Sequence, residues 1–386
     1  MSTAAQLTIL LTLKDRVPFT HRWLDYAVAV GLPFRVLVAD GGAEEGVAEA
    51  VAARQAAGLD VEYVRYPFDQ TYAHYYAKLA DALSRVTTPL VVFADNDDFF
   101  FKDGLSQAVE FLQHHPGHVA CGGRCAMFWV TDAGAVGGAD AVYGRAVEWK
   151  YSSLLFSDLA DSAAGRLRDR SRDDVFYSVH RTHLLRRHLE VIRDFNPSDL
   201  FLMDETVMFL TAIAGKTRQL DCLYIARQQD SPGSTGGTHE ARFGDWFGRM
   251  LVPTWSDDFA RFADVTSAAL AQADGLSLAD ARREVTACYR ASVAPVLLSD
   301  LVSEPTVTWA MPLTLQVVRR LVLLPRTSLL RRIAQYLYRG TRWLSHAFVQ
   351  GREFRAAGAR TAAREFRPVS DFLVRAGRQK SRTAGT

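Results

Sequence analysis

Four cysteines in 386 residues are few. Cys121, Cys125, Cys222 and Cys288 form no C-x-x-C pair, and only the first two are close. That spacing argues against a thiolate zinc site or a disulfide framework and fits a reducing cytosol. Long apolar runs are also missing. No stretch reaches the roughly 18 uncharged apolar residues of a membrane span, so no transmembrane helix is expected. MSTAAQLTILLTLKDR lacks a basic segment before its short apolar run and reads as a first strand, not a signal peptide. Internal repeats are absent.

What is present is ordinary for a globular chain. Hydrophobic residues make up 48% and charged residues 23%. The length suggests two or three domains, or one large domain with an appendage. The net charge of +2 hides an asymmetry. Residues 310–386 carry 16 Arg or Lys against 3 Asp or Glu, a net +13, which leaves −11 for residues 1–309. Such a basic stretch could meet an anionic membrane, a nucleic acid, or the acidic body itself. RTSLLRRIAQYLYRGTRW (326–343) mixes leucines with arginines and reads as an interfacial helix or a helix packed on the body. Aromatics are sparse after Trp343, so no nucleic-acid partner is expected.

LTILLTL (7–13), FRVLVAD (34–40), VEYVRYP (61–67) and PLVVFAD (89–95) read as buried strands. Segments 18–30, 44–57 and 71–86 read as helices between them. Tyr72, Tyr76, Leu79, Leu83 and Val86 make one helical stripe, with His74, Lys78, Asp81 and Arg85 off it, either as a solvated face with an Asp81–Arg85 pair or with Lys78 turned to a site. The alternation predicts an α/β fold with a mostly parallel sheet. Ligands of such sheets bind beyond the carboxyl ends of the strands, where Asp15, Asp40 and Asp95 fall. Further on, Asp103 is expected to cap a helix ended by Pro116-Gly117, and 118–130 to form a strand with a glycine break. Segment 131–175 reads as irregular, 199–214 as an apolar helix capped by Gly215, and 219–227 as a strand. SPGSTGGTH (231–239) reads as a glycine-rich loop that could act as a lid. The rest is helical, with a capping-box-like start at Ser277 and Asp280. The expected division is an α/β domain at 1–250, a basic helical region at 251–376 and a disordered tail at 377–386.

Two acidic groups stand out. Asp95-Asn96-Asp97-Asp98 ends an apolar strand, where unpaired carboxylates are costly. A hard divalent cation commonly takes one or two such carboxylates plus substrate phosphates. An EF-hand would need a polar residue at 99 and glycine at 100, and both are Phe. A dehalogenase-type phosphatase would place the pair after its first strand, not the fourth. Asp204-Glu205 interrupt FLM…TVMFLTAIA, where desolvation would raise a carboxyl toward the range useful to a general base. Adjacent helical residues point about 100° apart, so only one can address a given hydroxyl squarely. His239 is a candidate metal or phosphate contact, with Arg227 similar. Trp129, Trp149 and Tyr151 read as core packing rather than an acceptor platform.

LTILLTLKDR, VLVADGG, AKLADAL…TPLVVFADNDD, YSVHRTHLL and FLMDETVMFLTAIAGK, in this order, resemble the nucleotide-sugar glycosyltransferases of the GT-A fold, close to the family-two-like inverting group. The resemblance covers about 1–240 and not the C-terminal helices. It implies that Asp40 contacts the nucleotide base and ribose, that Asp95 lies near the ribose, and that Asp97, assisted by Asp98, holds Mn2+ or Mg2+. It implies a basic contact to nucleotide or pyrophosphate from Lys78, and a catalytic acid at Glu205 or Asp204, with Glu205 favoured. Arg16 is kept from the family's first loop, while its Asn is not. The expected reaction moves a sugar from a nucleotide-diphosphate donor to a glycan, lipid-linked or other hydroxyl acceptor with inversion, in surface polysaccharide or glycoconjugate synthesis. The expected location is cytoplasmic, with peripheral membrane contact through the basic C-terminal helices. The rival readings are a catalytically silent sugar-binding module and a sugar nucleotidyltransferase. Against the latter, Lys14-Asp15-Arg16-Val17-Pro18 stands where a glycine-rich phosphate loop would follow the first strand.

Overall fold

The computed structural model describes residues 3–131, 142–151, 155–169 without 156 and 158, 175–229, 231–303 without 245, and 357–383. Segment 326–343 lies outside the described residues.

Strands β1 (Leu7–Leu13), β2 (Arg35–Asp40), β3 (Val61–Arg65) and β4 (Leu90–Ala94) are parallel, in the order β3-β2-β1-β4. Helices α1 (Val17–Ala29), α2 (Val47–Ala56) and α3 (Tyr72–Arg85) connect them. Side chains alternate across the sheet. Leu7, Ile9, Leu11 and Leu13 pack with Trp23 of α1 and Val51 of α2. Leu10 packs the other way, with Tyr76, Leu79 and Leu83 of α3. Both faces are covered, which is why these strands are apolar throughout.

Next come β5 (Phe99–Phe100), α4 (Lys102–His114), β6 (His118–Thr131), β7 (Ala146–Tyr151), α5 (Ala163–Asp169) and β8 (Val179–Arg181). They are followed by α6 (Thr182–Phe195), α7 (Leu200–Ala214) and β9 (Lys216–Gln228). The sheet continues as β4-β8-β6-β9-β5, with β7 on β6. Strand β8 runs antiparallel to both neighbours, and β9 runs parallel to β6.

The elements read from the sequence recur, with differences. Segment 131–175 is not wholly irregular, since it contains β7 and α5; β7 gains its hydrogen bonds from β6, a non-local partner. Asp103 does not cap α4, because the N-cap is Phe101 and Asp103 lies in the first turn, where its charge suits the helix dipole. Part of the glycine-rich loop is helical: α8 spans Thr235–Phe243, and the Ser234 hydroxyl accepts from Gly237 N at 3.2 Å. That cap satisfies an end group and offsets the glycines' poor propensity. Lys78 is not solvated but buried in α3.

Helices α9 (Trp246–Met250), α10 (Trp255–Asp274) and α11 (Leu278–Ser303) follow. Asp280 N donates to Ser277 Oγ at 3.1 Å, as the capping pattern requires. Phe262, Leu270, Val285 and Tyr289 form one cluster with Leu167 of α5 and Phe209 of α7. The helices after 250 thus share a core with the α/β part. The last helix, α12 (Ala357–Thr383), carries Phe366, Val369 and Leu373 into a cluster with Tyr26, Phe99, Phe101 and Phe128. Phe366 stacks on Trp149, with ring centroids 4.3 Å apart. Residues 377–383, expected to be disordered, continue this helix. Of the partners open to the basic stretch, α12 presents its apolar stripe to the body. No described helix is long and apolar enough to cross a membrane.

Candidate active site

Strand β1 has β2 on one side and β4 on the other, so the chain order reverses between β1 and β4. The crevice beyond their carboxyl ends is the switch point where open α/β sheets bind ligands. The loop after β1 faces the turn after β4 there. Asp15 and Arg16 both adopt left-handed backbone, with φ of 57° and 61°. For non-glycine residues this costs about 1–2 kcal/mol each. Asp15 Oδ1 holds the loop by accepting from Ala43 N at 2.5 Å and Glu44 N at 3.0 Å. Gly42 permits that approach, since a Cβ there would lie 2.5 Å from Asp15 N. The strained pair directs Arg16 across the crevice. Its two terminal nitrogens lie 3.2 and 3.1 Å from Asp97 Oδ2, and one also donates to the Ser231 hydroxyl.

One carboxylate oxygen each of Asp95, Asp97 and Asp98 can be chosen so that all three lie within 4.8 Å of one another. Asp98 is held at both oxygens, by Arg227 Nε at 3.0 Å and Gln228 N at 3.0 Å. Asp95 accepts from the Tyr177 hydroxyl, and the Arg227 guanidinium lies 4.4 Å from the Tyr177 ring centre. Behind the turn, Arg22 is 0% exposed. It donates to the Asp97 carbonyl at 2.9 Å, to Gln228 Oε1 at 2.8 Å and to Val142 O at 2.8 Å, and it stacks on Phe19 and Phe99. Three arginines therefore offset the packed carboxylates. Burial pushes the Asp95 carboxyl up to about 6, with Asp97 adding to the rise and Tyr177, Arg227 and Arg16 opposing it. Burial raises Asp98 well above its usual range and lowers Arg22 to about 10. An all-oxygen donor set of this kind suits a hard divalent cation.

Asp40 and Lys78 stand beside this cluster rather than in it. Asp40 accepts from Tyr63 Oη at 2.8 Å, Arg65 at 2.6 Å and Gly42 N at 2.9 Å. Lys78 Nζ donates to Leu13 O at 2.7 Å and to Asp69. Burial presses Lys78 down and Asp69 up, while their mutual attraction resists both shifts. Asp69 lies so close over Gly41 that a Cβ there would come within 2.5 Å of its carboxylate. On α7, Glu205 is buried and Asp204 half-buried. Tyr75 lies between the two acidic groups: burial raises its hydroxyl well above the usual range, and Asp95 and Asp204 add to the rise.

His239 is not brought to the carboxylates. It is buried in α8, with Nδ1 2.7 Å from the Tyr72 hydroxyl and Nε2 3.8 Å from Asp199. Asp199 caps α7 and binds Arg249 through two nitrogens at 2.8 and 2.9 Å. A histidine packed in this way ties α8 to α3 and α7. Arg22, Asp69 and Tyr177 took no role in the sequence reading. Arg22 sits next to Trp23 in an ordinary amphipathic helix, and the Asp97 carbonyl it binds lies 75 positions away. The one available signal for Tyr177 was its place in YSVHRTHLL.

The parallel β3-β2-β1-β4 half, the reversal at β1/β4 and the acidic turn after β4 define the class: a glycosyltransferase of the GT-A fold. Within that class, residues 9–193 match the family described as Glycosyl transferase family 2. The matched range includes Arg16, Asp40, Lys78, Asp95, Asp97 and Asp98 and ends before Asp204, Glu205, Arg227 and His239. No curated protein sequence matches the chain. Among solved structures, S. aureus TarS 1-349 is 14% identical with a TM-score of 0.44, covering 92% of this chain and 95% of that one. TarS 1-349 in complex with UDP-GlcNAc gives 11% identity and a TM-score of 0.47, over 83% and 82%. The mannosyltransferase PcManGT from Pyrobaculum calidifontis, in complex with GDP-Man and Mn2+, gives 14% and 0.38, over 84% and 88%.

Proposed function

We propose that the protein moves a sugar from a nucleotide-diphosphate donor to an acceptor hydroxyl with inversion, in polysaccharide or glycoconjugate synthesis. The observation that carries this reading is the Asp95–Asp97–Asp98 cluster at the switch point of a family 2 domain. Asp97, with Asp98 and Asp95, would hold Mn2+ or Mg2+, which when bound supplies positive charge against a leaving diphosphate. Arg16 and Arg227 lie at the same carboxylates and orient the diphosphate. Asp40 and Lys78 line the nucleotide side, beyond β2 and under the first loop. A carboxylate of the Asp204–Glu205 pair takes the acceptor proton as its oxygen attacks the anomeric carbon from the face opposite the leaving group. The acceptor is a glycan or lipid-linked hydroxyl, reached in the cytoplasm or at the inner membrane face.

The test is transfer and donor hydrolysis by purified protein over a panel of nucleotide sugars with Mn2+ or Mg2+. Asp97→Asn is expected to abolish turnover while melting within a few degrees of wild type. Of Asp204→Asn and Glu205→Gln, the one that removes the base should lower kcat about 10²–10⁴-fold. Wild-type turnover in Asp97→Asn would overturn the assignment.

A further inference from the structure

We propose that Arg16 is the resident counter-cation of Asp97, and that a divalent ion takes Asp97 Oδ2 only by displacing it. The inference rests on the reading of the acidic turn as a metal seat. The three carboxylates are held in different ways. Asp98 is fixed at both oxygens from β9, by Arg227 and by the backbone of Gln228. Asp95 is held by Tyr177. The Asp97 carboxylate is met by a long side chain from the opposite loop, both of whose terminal nitrogens converge on one oxygen, Oδ2. A guanidinium and a metal ion cannot both occupy that oxygen at close range, because their like charges repel.

Arg16 has partners besides Asp97. It stacks over Phe19, 4.3 Å from the ring centre, and also reaches Ser231 beyond β9. Its backbone stays tied through Asp15 to Ala43 and Glu44. Only the side chain has to swing, and a diphosphate entering beside Asp97 offers it a bidentate anionic partner. The exchange balances charge: the metal replaces the guanidinium on Asp97, and the guanidinium moves to phosphate. The metal alone should then bind weakly. A nucleoside diphosphate should strengthen metal binding, and the metal should strengthen diphosphate binding by the same factor.

The experiment titrates the full chain with Mn2+ and reads free Mn2+ by electron paramagnetic resonance, with and without UDP or GDP. Removing the counter-cation in Arg16→Ala should tighten Mn2+ binding without nucleotide about ten-fold, the size of one charge-assisted hydrogen bond. The gain on adding nucleotide should shrink in the same variant. Arg16→Gln, which keeps hydrogen bonding but drops the charge, should move the same way and serves if the alanine variant unfolds. Unchanged or weaker Mn2+ binding in the folded Arg16 variants overturns the proposal. Asp97→Asn separates it from the reading beneath: if that variant binds Mn2+ like wild type, the seat itself is wrong. If Asp97→Asn loses Mn2+ while the Arg16 variants do not tighten, only the displacement fails.

Discussion

His180 and His188 lie in the interior, 2% and 7% exposed. His180 Nε2 is 2.7 Å from Val175 O, and His188 Nδ1 has no hydrogen-bond partner among the described residues. Burial lowers the first to about 4 and the second to about 3. In the unfolded chain both titrate near 6.5, so that state takes up protons first as the solution is acidified. Their contribution is intact above about pH 6.5 and is lost as pH falls toward 4 and 3, at about 1.4 kcal/mol per pH unit for each histidine. His188→Leu should therefore show a shallower loss of denaturant midpoint between pH 6.5 and 4 than wild type. Equal slopes would remove His188 as a cause. At this scale the sequence was legible wherever spacing and strand address coincided, as at Asp95 and Asp97. It was illegible for Arg22, whose meaning depends on Asp97 and Gln228, both distant in the chain. It left Lys78 open between a solvated face and a site contact, and burial at the end of β1 decides against the solvated face, since a helix position off the main apolar stripe can still face the end of another strand.

Elements were legible where periodicity was long, as in β1 to β4 and α3, and less so where a partner decides. Strand β7 exists because β6 offers it an edge, and α8 because Ser234 caps it. Packing between elements can be as exacting as capping. Helix α4 meets β9 at Gly104, where a Cβ would lie 2.3 Å from Leu223 O and 2.9 Å from Tyr224 Cα. Both obstacles are backbone, so neither can turn aside. Gly104→Ala should cost about 1–3 kcal/mol, despite alanine's better helix propensity, and should lower the urea midpoint. An unchanged or raised midpoint would mean that α4 slides freely on β9.

For the whole molecule, the instructive contact is the one made by α12. Composition showed a basic stretch with several candidate partners. It could not show that Phe366, Val369 and Leu373 complete a cluster around Phe99 and Phe101, the residues that follow the acidic turn. Phe366→Ala should cost about 3–5 kcal/mol. It should also expose the aromatic cluster to a hydrophobic dye, and a melt matching wild type would show that α12 is dispensable. The helix joins the sheet through Glu365, which accepts from Leu223 N at 2.9 Å across 142 positions of sequence. A chain made from its N-terminus therefore completes its parallel half-sheet long before the residues that back the acidic turn leave the ribosome. Until then Phe99, Phe101 and Phe128 have an open face, and contacts this distant in sequence form slowly. An open aromatic face during that interval favours aggregation of the nascent chain.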